Sequence, residues 1–169
     1  ADGKMNGYIM GIRQSILDEQ IDLKTWASWK EQLSFGGVSN AYQTKPNLPL
    51  IETQGSNQDL LYFIFSHEFG HVFDFANDLN QTVSCEKADH TTEPDCLMAE
   101  NSWGAISWIS PLKAKPEFDF SKREQLCFYS CNNTFISQED ISKLYSDFVK
   151  TNFISLYSAT QPWDDFAES

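Results

Sequence analysis

Positive charge is scarce in this chain of 169 residues: 12 Lys and Arg stand against 24 Asp and Glu, a formal net charge of −12 at pH 7. Proteins that grip a phosphate backbone need clustered Lys and Arg, so nucleic acid is excluded as the expected partner. No stretch approaches the ~18 uninterrupted apolar residues of a membrane-crossing helix, so no membrane span is expected. Internal repeats, low-complexity tracts and domain linkers are missing too. What remains is 41% hydrophobic and 14% aromatic, enough for a single domain over residues 1–169 with a substantial core. An acidic surface serves solubility first and selects basic substrates only weakly.

The chain opens at Ala1 without a methionine, as expected if a targeting segment has been removed or if the sequence is a fragment of a longer one. Its four cysteines fall into two local pairs, Cys85 with Cys96 and Cys127 with Cys131. Cys127 and Cys131 do not have the usual C-x-x-C spacing of a zinc site, and a charged loop separates the other two, so two disulfides are expected ahead of a second metal site. Local pairing is the simplest of three connectivities. It implies an oxidising compartment, secreted or periplasmic.

Histidine is the rarest informative residue, with three copies, and two of them sit four apart around a glutamate: His67-Glu68-Phe69-Gly70-His71 spells H-E-x-x-H. Chance alone produces such a placement roughly once in a few hundred such chains. Residues i and i+4 stack on one helix face, so two imidazoles can reach a single metal ion. Glu68, rotated by about 100°, is aimed at the open side of that ion. The surrounding pattern predicts one long helix from about Asp59 to Asp78, with Ser56 and Asp59 as a capping box. Leu60, Leu61, Phe63, Ile64, Phe65, Phe69, Val72, Phe73 and Phe75 surround most of its cylinder, which predicts a buried helix. His67, His71 and Asp74 then share a stripe with Glu68 beside it, and a bound dication would satisfy them together.

Elsewhere, apolar spacing predicts helices from about Met5 to Asp18 and from about Leu23 to Leu33, the second capped by Asp22. Gly36-Gly37 ends that pattern, and 38–55 reads as extended chain with a short strand near Leu50 to Thr53, immediately before the H-E-x-x-H helix. Resemblance of that motif to the zincin signature implies a small sheet edge bordering the cleft there, along which a substrate can lie as an added strand. A polar loop follows from Asn80 to about Met98, then the packing residues Trp103, Ile106, Trp108 and Ile109, then a polar connection from Lys113 to Glu124. Ser137 with Asp140 opens a helix to about Lys150. The fold class is therefore α+β, mainly helical.

Two histidines leave a catalytic zinc ion short of its usual three protein ligands. The extended spacing H-E-x-x-H-x-x-G-x-x-H fails, since Asp74 and Asn77 take the Gly and last His positions, and His90 remains only as an isolated ligand. The C-terminal stretch Tyr157-Ser-Ala-Thr-Gln-Pro-Trp-Asp-Asp-Phe-Ala-Glu168 resembles the Y-x-A-T-x-P-x-[ED]-D-F-A-E segment of zincin metallopeptidases of the gluzincin type, including the catalytic-domain family of anthrax lethal factor. That family also carries H-E-F-G-H with an Asp three residues on, here Asp74. Two short blocks carry the resemblance, in the right order.

The resemblance implies a zincin-like domain with Asp164 as third metal ligand and Tyr157 facing the developing oxyanion. The family has Glu where this chain has the shorter Asp164, which makes Glu168 a rival ligand. Lying i and i+4, one of the two can bind metal while the other orients a ligand histidine, and the motif register assigns the metal to Asp164. Pro162 is placed to start the last helix, with Thr160 as its cap. The expected function is zinc-dependent hydrolysis of a protein or peptide substrate. One zinc ion would activate water, Glu68 would act as general base, and Tyr157 would stabilise the oxyanion. The alternative is a catalytically inactive zincin-fold binding or toxin-like module; an intact Glu68 argues against it.

Overall fold

The computed structural model describes residues 7–18, 21–35, 55–83, 96–129 and 135–169. These residues form an α+β arrangement, about half helical, with two small antiparallel sheets. The helices are α1 (Gln14–Asp18), α2 (Leu23–Gln32), α3 (Asn57–Asn77), α4 (Gln138–Phe148) and α5 (Pro162–Glu168). Strands β1 (Thr82–Val83) and β2 (Leu97–Met98) pair Thr82 with Met98 and Val83 with Leu97. Strands β3 (Trp108–Ser110) and β4 (Lys113–Ala114) make the second sheet.

Helix α3 starts where its capping residues put it. Ser56 Oγ accepts from the Asp59 amide at 3.3 Å, and Asp59 Oδ2 accepts from the Ser56 amide at 2.6 Å, so two otherwise orphaned donors are satisfied reciprocally. It stops at Asp78, whose left-handed backbone (φ 54°) turns the chain, a conformation that Asp tolerates better than most residues. Both oxygens of buried Asp74 then accept from Asn80, at 2.9 Å from its amide and 2.7 Å from its side chain, tying the helix end to the loop. Asp22 caps α2 as expected, accepting from the Thr25 amide at 2.7 Å.

The expectation of a helix buried all round is overturned among the described residues. Only Leu60, His67 and Asp74 are buried, a single line at seven-residue spacing along α3, while Phe69 is 61% exposed and Tyr62, Phe65, Phe73 and Phe75 are exposed as well. Helices α2 and α5 both pack on α3, but the aromatic richness of α3 does not translate into burial. The closest approach is at Gly70, where a Cβ would come within 2.8 Å of the Ala167 Cα. Glycine at this position lets the backbone of α5 sit directly on α3.

One core cluster is built on Trp108, Met98, Phe153, Ala114 and Ala159 and the other on Leu144, Leu156, Ile136 and Phe128. Trp108 donates its indole N–H to buried Asp165 at 3.0 Å, which anchors α5 to the first cluster. Other sequence expectations shift locally. The first helix is confined to Gln14–Asp18, with no helix over 7–13. Ile106 is exposed rather than packed, because it lies on the outer side of a short 3-10 turn. Gln161, not Thr160, occupies the cap position of α5; the Thr160 hydroxyl donates to the Tyr157 carbonyl at 2.7 Å instead. The strand near Leu50 to Thr53, His90, Cys85 and Cys131 lie outside the described residues, and no cysteine among the described residues is free.

Candidate metal centre

One turn of α3 separates His67 from His71, and their Nε2 atoms lie 3.1 Å apart. Asp164, in the first turn of α5, brings its Oδ1 to 3.6 Å from His67 Nε2 and 3.4 Å from His71 Nε2. Its other oxygen accepts a hydrogen bond from Gln161, which aims the carboxylate. Donors held about 2.0–2.1 Å from a common tetrahedral centre are separated by roughly 3.3–3.4 Å. The triangle of 3.1, 3.4 and 3.6 Å therefore has the dimensions of three corners of a zinc tetrahedron. Two imidazoles and a carboxylate are also the donor set such an ion takes. The residues fit the metal that the motif implies.

Electrostatics distinguish the two imidazoles. Burial pushes the His67 pKa down to about 4, and the nearby Lys30 ammonium pushes the same way. The hydrogen bond to Asp164 raises that of His71 against the effect of burial. Burial alone would raise the Asp164 carboxyl, but the hydrogen bonds from His71 and Gln161 outweigh it and hold the carboxyl below its ordinary range. A proton on His71 is thus the cation that balances this cluster when no metal does.

Glu168 sits on the opposite side of His67 from Asp164. Its Oε1 is 3.9 Å from His67 Nδ1, beyond hydrogen-bond reach, and 3.1 Å from Lys30 Nζ. Its Oε2 accepts from the Ser155 hydroxyl. Of the two acidic residues, Asp164 therefore faces the shared Nε2 position and Glu168 stands on the Nδ1 side of His67. His67 Nδ1 is buried without a hydrogen-bond partner. Asp74, placed by the sequence on the same stripe, uses both oxygens on Asn80 and reaches His71 only through its field.

Tyr157 lies over this group, its ring 5.8 Å from that of His67, and its hydroxyl is hydrogen-bonded to Asp164. Burial, reinforced by the Asp164 charge, raises the phenol pKa well above its ordinary value, so Tyr157 stays a proton donor. Glu68 is exposed beside the histidines. It shares with His67, His71 and Tyr157 a cavity of about 450 Å³, lined also by the apolar Trp26, Trp29, Phe63 and Ile64 and by the charged Arg13 and Lys30. The five residues expected at the site, His67, Glu68, His71, Tyr157 and Asp164, are brought together from α3, α5 and the turn before α5.

No family model, curated protein or solved structure matches the chain. Sequence reading missed two residues of the site, Lys30 and Tyr129. Tyr129 lines the cavity from the segment after Cys127, and its ring packs edge-on against Tyr157 at 5.9 Å. Lys30 lies four residues after Trp26 on α2, a placement that reads as a solvated lysine until the packing of α2 on α3 and the pair with Glu168 of α5 are known.

Proposed function

We propose that this protein is a zinc-dependent metallopeptidase with a zincin-like fold, hydrolysing peptide bonds of protein or peptide substrates. The observation that carries the reading is the His67–His71–Asp164 triangle, with Glu68 and Tyr157 on the same cavity. His67 and His71 would hold the ion through their Nε2 atoms and Asp164 through Oδ1. When bound, zinc supplies Lewis acidity, lowering the pKa of a water molecule and polarising a carbonyl. Glu68, whose carboxylate stands free beside the two histidines, accepts the proton of the attacking water and delivers it to the leaving amine. Tyr157 donates a hydrogen bond from its phenol to the oxyanion as charge develops there. Trp26, Trp29, Phe63 and Ile64 offer apolar surface in the same cavity for a substrate side chain.

Metal analysis of the purified protein, with cleavage of a broad peptide library by wild type and Glu68→Gln, tests the reading. One zinc per chain, cleavage by wild type and loss of cleavage with retained zinc in Glu68→Gln is the expected result. A zinc-free wild type would remove its basis. Local pairing of Cys85 with Cys96 and of Cys127 with Cys131, and with it an oxidising compartment, is part of the same proposal. Thiol titration of the native protein checks it, and four reactive cysteines would exclude it.

A further inference from the structure

We propose that Lys30 is a positioning residue of the metal centre: its ammonium neutralises the Glu168 carboxylate behind His67 and so makes the site one charge more positive, weakening metal binding while favouring Lewis acidity. The proposal rests on the metal-centre reading above. Lys30 is only 7% exposed, with Nζ 3.1 Å from Glu168 Oε1, 3.4 Å from the centroid of the Tyr157 ring and 5.0 Å from that of Trp26. A buried ammonium requires anionic or π partners, and these three supply them. One lysine thus touches both the residue behind a metal ligand and the residue expected to meet the oxyanion.

The same Glu168 oxygen faces two claimants. Lys30 holds it at 3.1 Å, whereas His67 Nδ1 is at 3.9 Å and has no hydrogen-bond partner. Metal-bound histidines usually donate their second ring N–H to a carboxylate or carbonyl, which makes them better ligands. Here Lys30 takes the carboxylate away from that role. Its charge also acts across the ring: an ammonium on the Glu168 side of His67 opposes a metal cation held at the ring's other nitrogen. Counting Asp164, Glu68, Glu168 and Lys30, a dication leaves the centre neutral, whereas without Lys30 it carries one net negative charge. Lewis acidity falls as negative charge accumulates around the ion.

The sign of the effect separates this role from a merely structural one. Zinc affinity is measured by competition with a chromophoric chelator in wild type, Lys30→Met and Lys30→Arg, with circular dichroism to verify folding. Lys30→Met is expected to bind zinc more tightly, by something like 10-fold, as Glu168 becomes free to accept from His67 Nδ1, and to show a lower kcat on a cleaved peptide. Lys30→Arg keeps the charge and should stay within about threefold of wild type. Unchanged or weaker zinc binding by folded Lys30→Met overturns the proposal. Should Lys30→Met fail to fold, Glu168→Gln decides. That variant leaves the lysine charge unopposed and should lose at least about 10-fold in zinc affinity; unchanged affinity overturns the proposal. A wild type that binds no zinc shows instead that the metal-centre reading has failed, before any variant is compared.

Discussion

His67 and His71 direct their Nε2 atoms at each other across 3.1 Å, with Asp164 Oδ1 completing the triangle. At that distance one of the two nitrogens carries a hydrogen, as the N–H of a neutral ring or of an imidazolium, or both share a metal ion. If zinc binds as proposed, protons compete with it, and the competition is uneven because the two histidines titrate apart.

Zinc binding should accordingly weaken with acid in two stages. His71 has its pKa raised above 6.5 by its hydrogen bond to Asp164, so below that raised value each unit of pH should weaken zinc binding about 10-fold, one proton for one ion. His67, held down to about 4, adds a second proton only near that pH. Zinc titrations from pH 8 to pH 5.5 check this; a two-proton slope over that range would contradict it.

Asp164→Ala and Glu168→Ala should separate. Asp164 stands on the Nε2 side of both histidines, so its loss should abolish zinc retention at moderate chelator. Glu168 stands behind His67 and should change affinity by only about 10 to 100-fold. The chelator competition used for Lys30 measures both, and the assignment is wrong if Glu168→Ala loses zinc outright while Asp164→Ala keeps it.

Gly70→Ala tests the contact that delivers Asp164. In a free helix alanine would gain about 1 kcal/mol over glycine. Here its Cβ would meet the Ala167 Cα at 2.8 Å, and the strain of overpacking, about 1–3 kcal/mol, should prevail. Thermal unfolding should show a net loss of stability, accompanied by weaker zinc binding because α5 is displaced. A stabilised variant with wild-type affinity would refute the close packing of α3 and α5.

Glu31, on α2, gives a stability signal independent of the metal. Burial raises its carboxyl to about 7 against a usual 4.5, although Tyr145 donates to it at 3.2 Å. A carboxyl with a raised folded pKa contributes most below its unfolded pKa and loses that contribution as pH rises toward 7. Glu31→Gln keeps the acceptor for Tyr145 and removes the titration. Its melting temperature should therefore gain on wild type between about pH 4.5 and 7, by an amount corresponding to roughly 3 kcal/mol, and the difference should be constant above pH 7. A pH-independent difference would show that Glu31 is not desolvated.

The ends of α2 and α3, the stacking of His67 with His71 and the proline start of α5 were legible because each is local, set by residues within a turn of one another. The placement of Asp164 came from motif register, and the structure puts it within reach of both histidines. Burial was not legible. Phe69, Phe73 and Phe75 read as core from composition, yet α3 meets its neighbours along a line occupied by Leu60, His67 and Asp74, two of them polar. Lys30 was invisible for the complementary reason: nothing near it in the chain announces an anion, and Glu168 arrives from the far end of the sequence.

That distance along the chain has a mechanical consequence. His71 and Asp164 are separated by about ninety residues, so an ion bound to both closes a loop that takes in more than half the chain. Tying the ends of a loop that long removes conformational freedom from the unfolded chain, much as a covalent cross-link would. The metal would then be a clasp as well as a reagent. A single backbone cut between the two ligands would leave both pieces gripping the same ion, and chelation, more than the cut itself, would let them part.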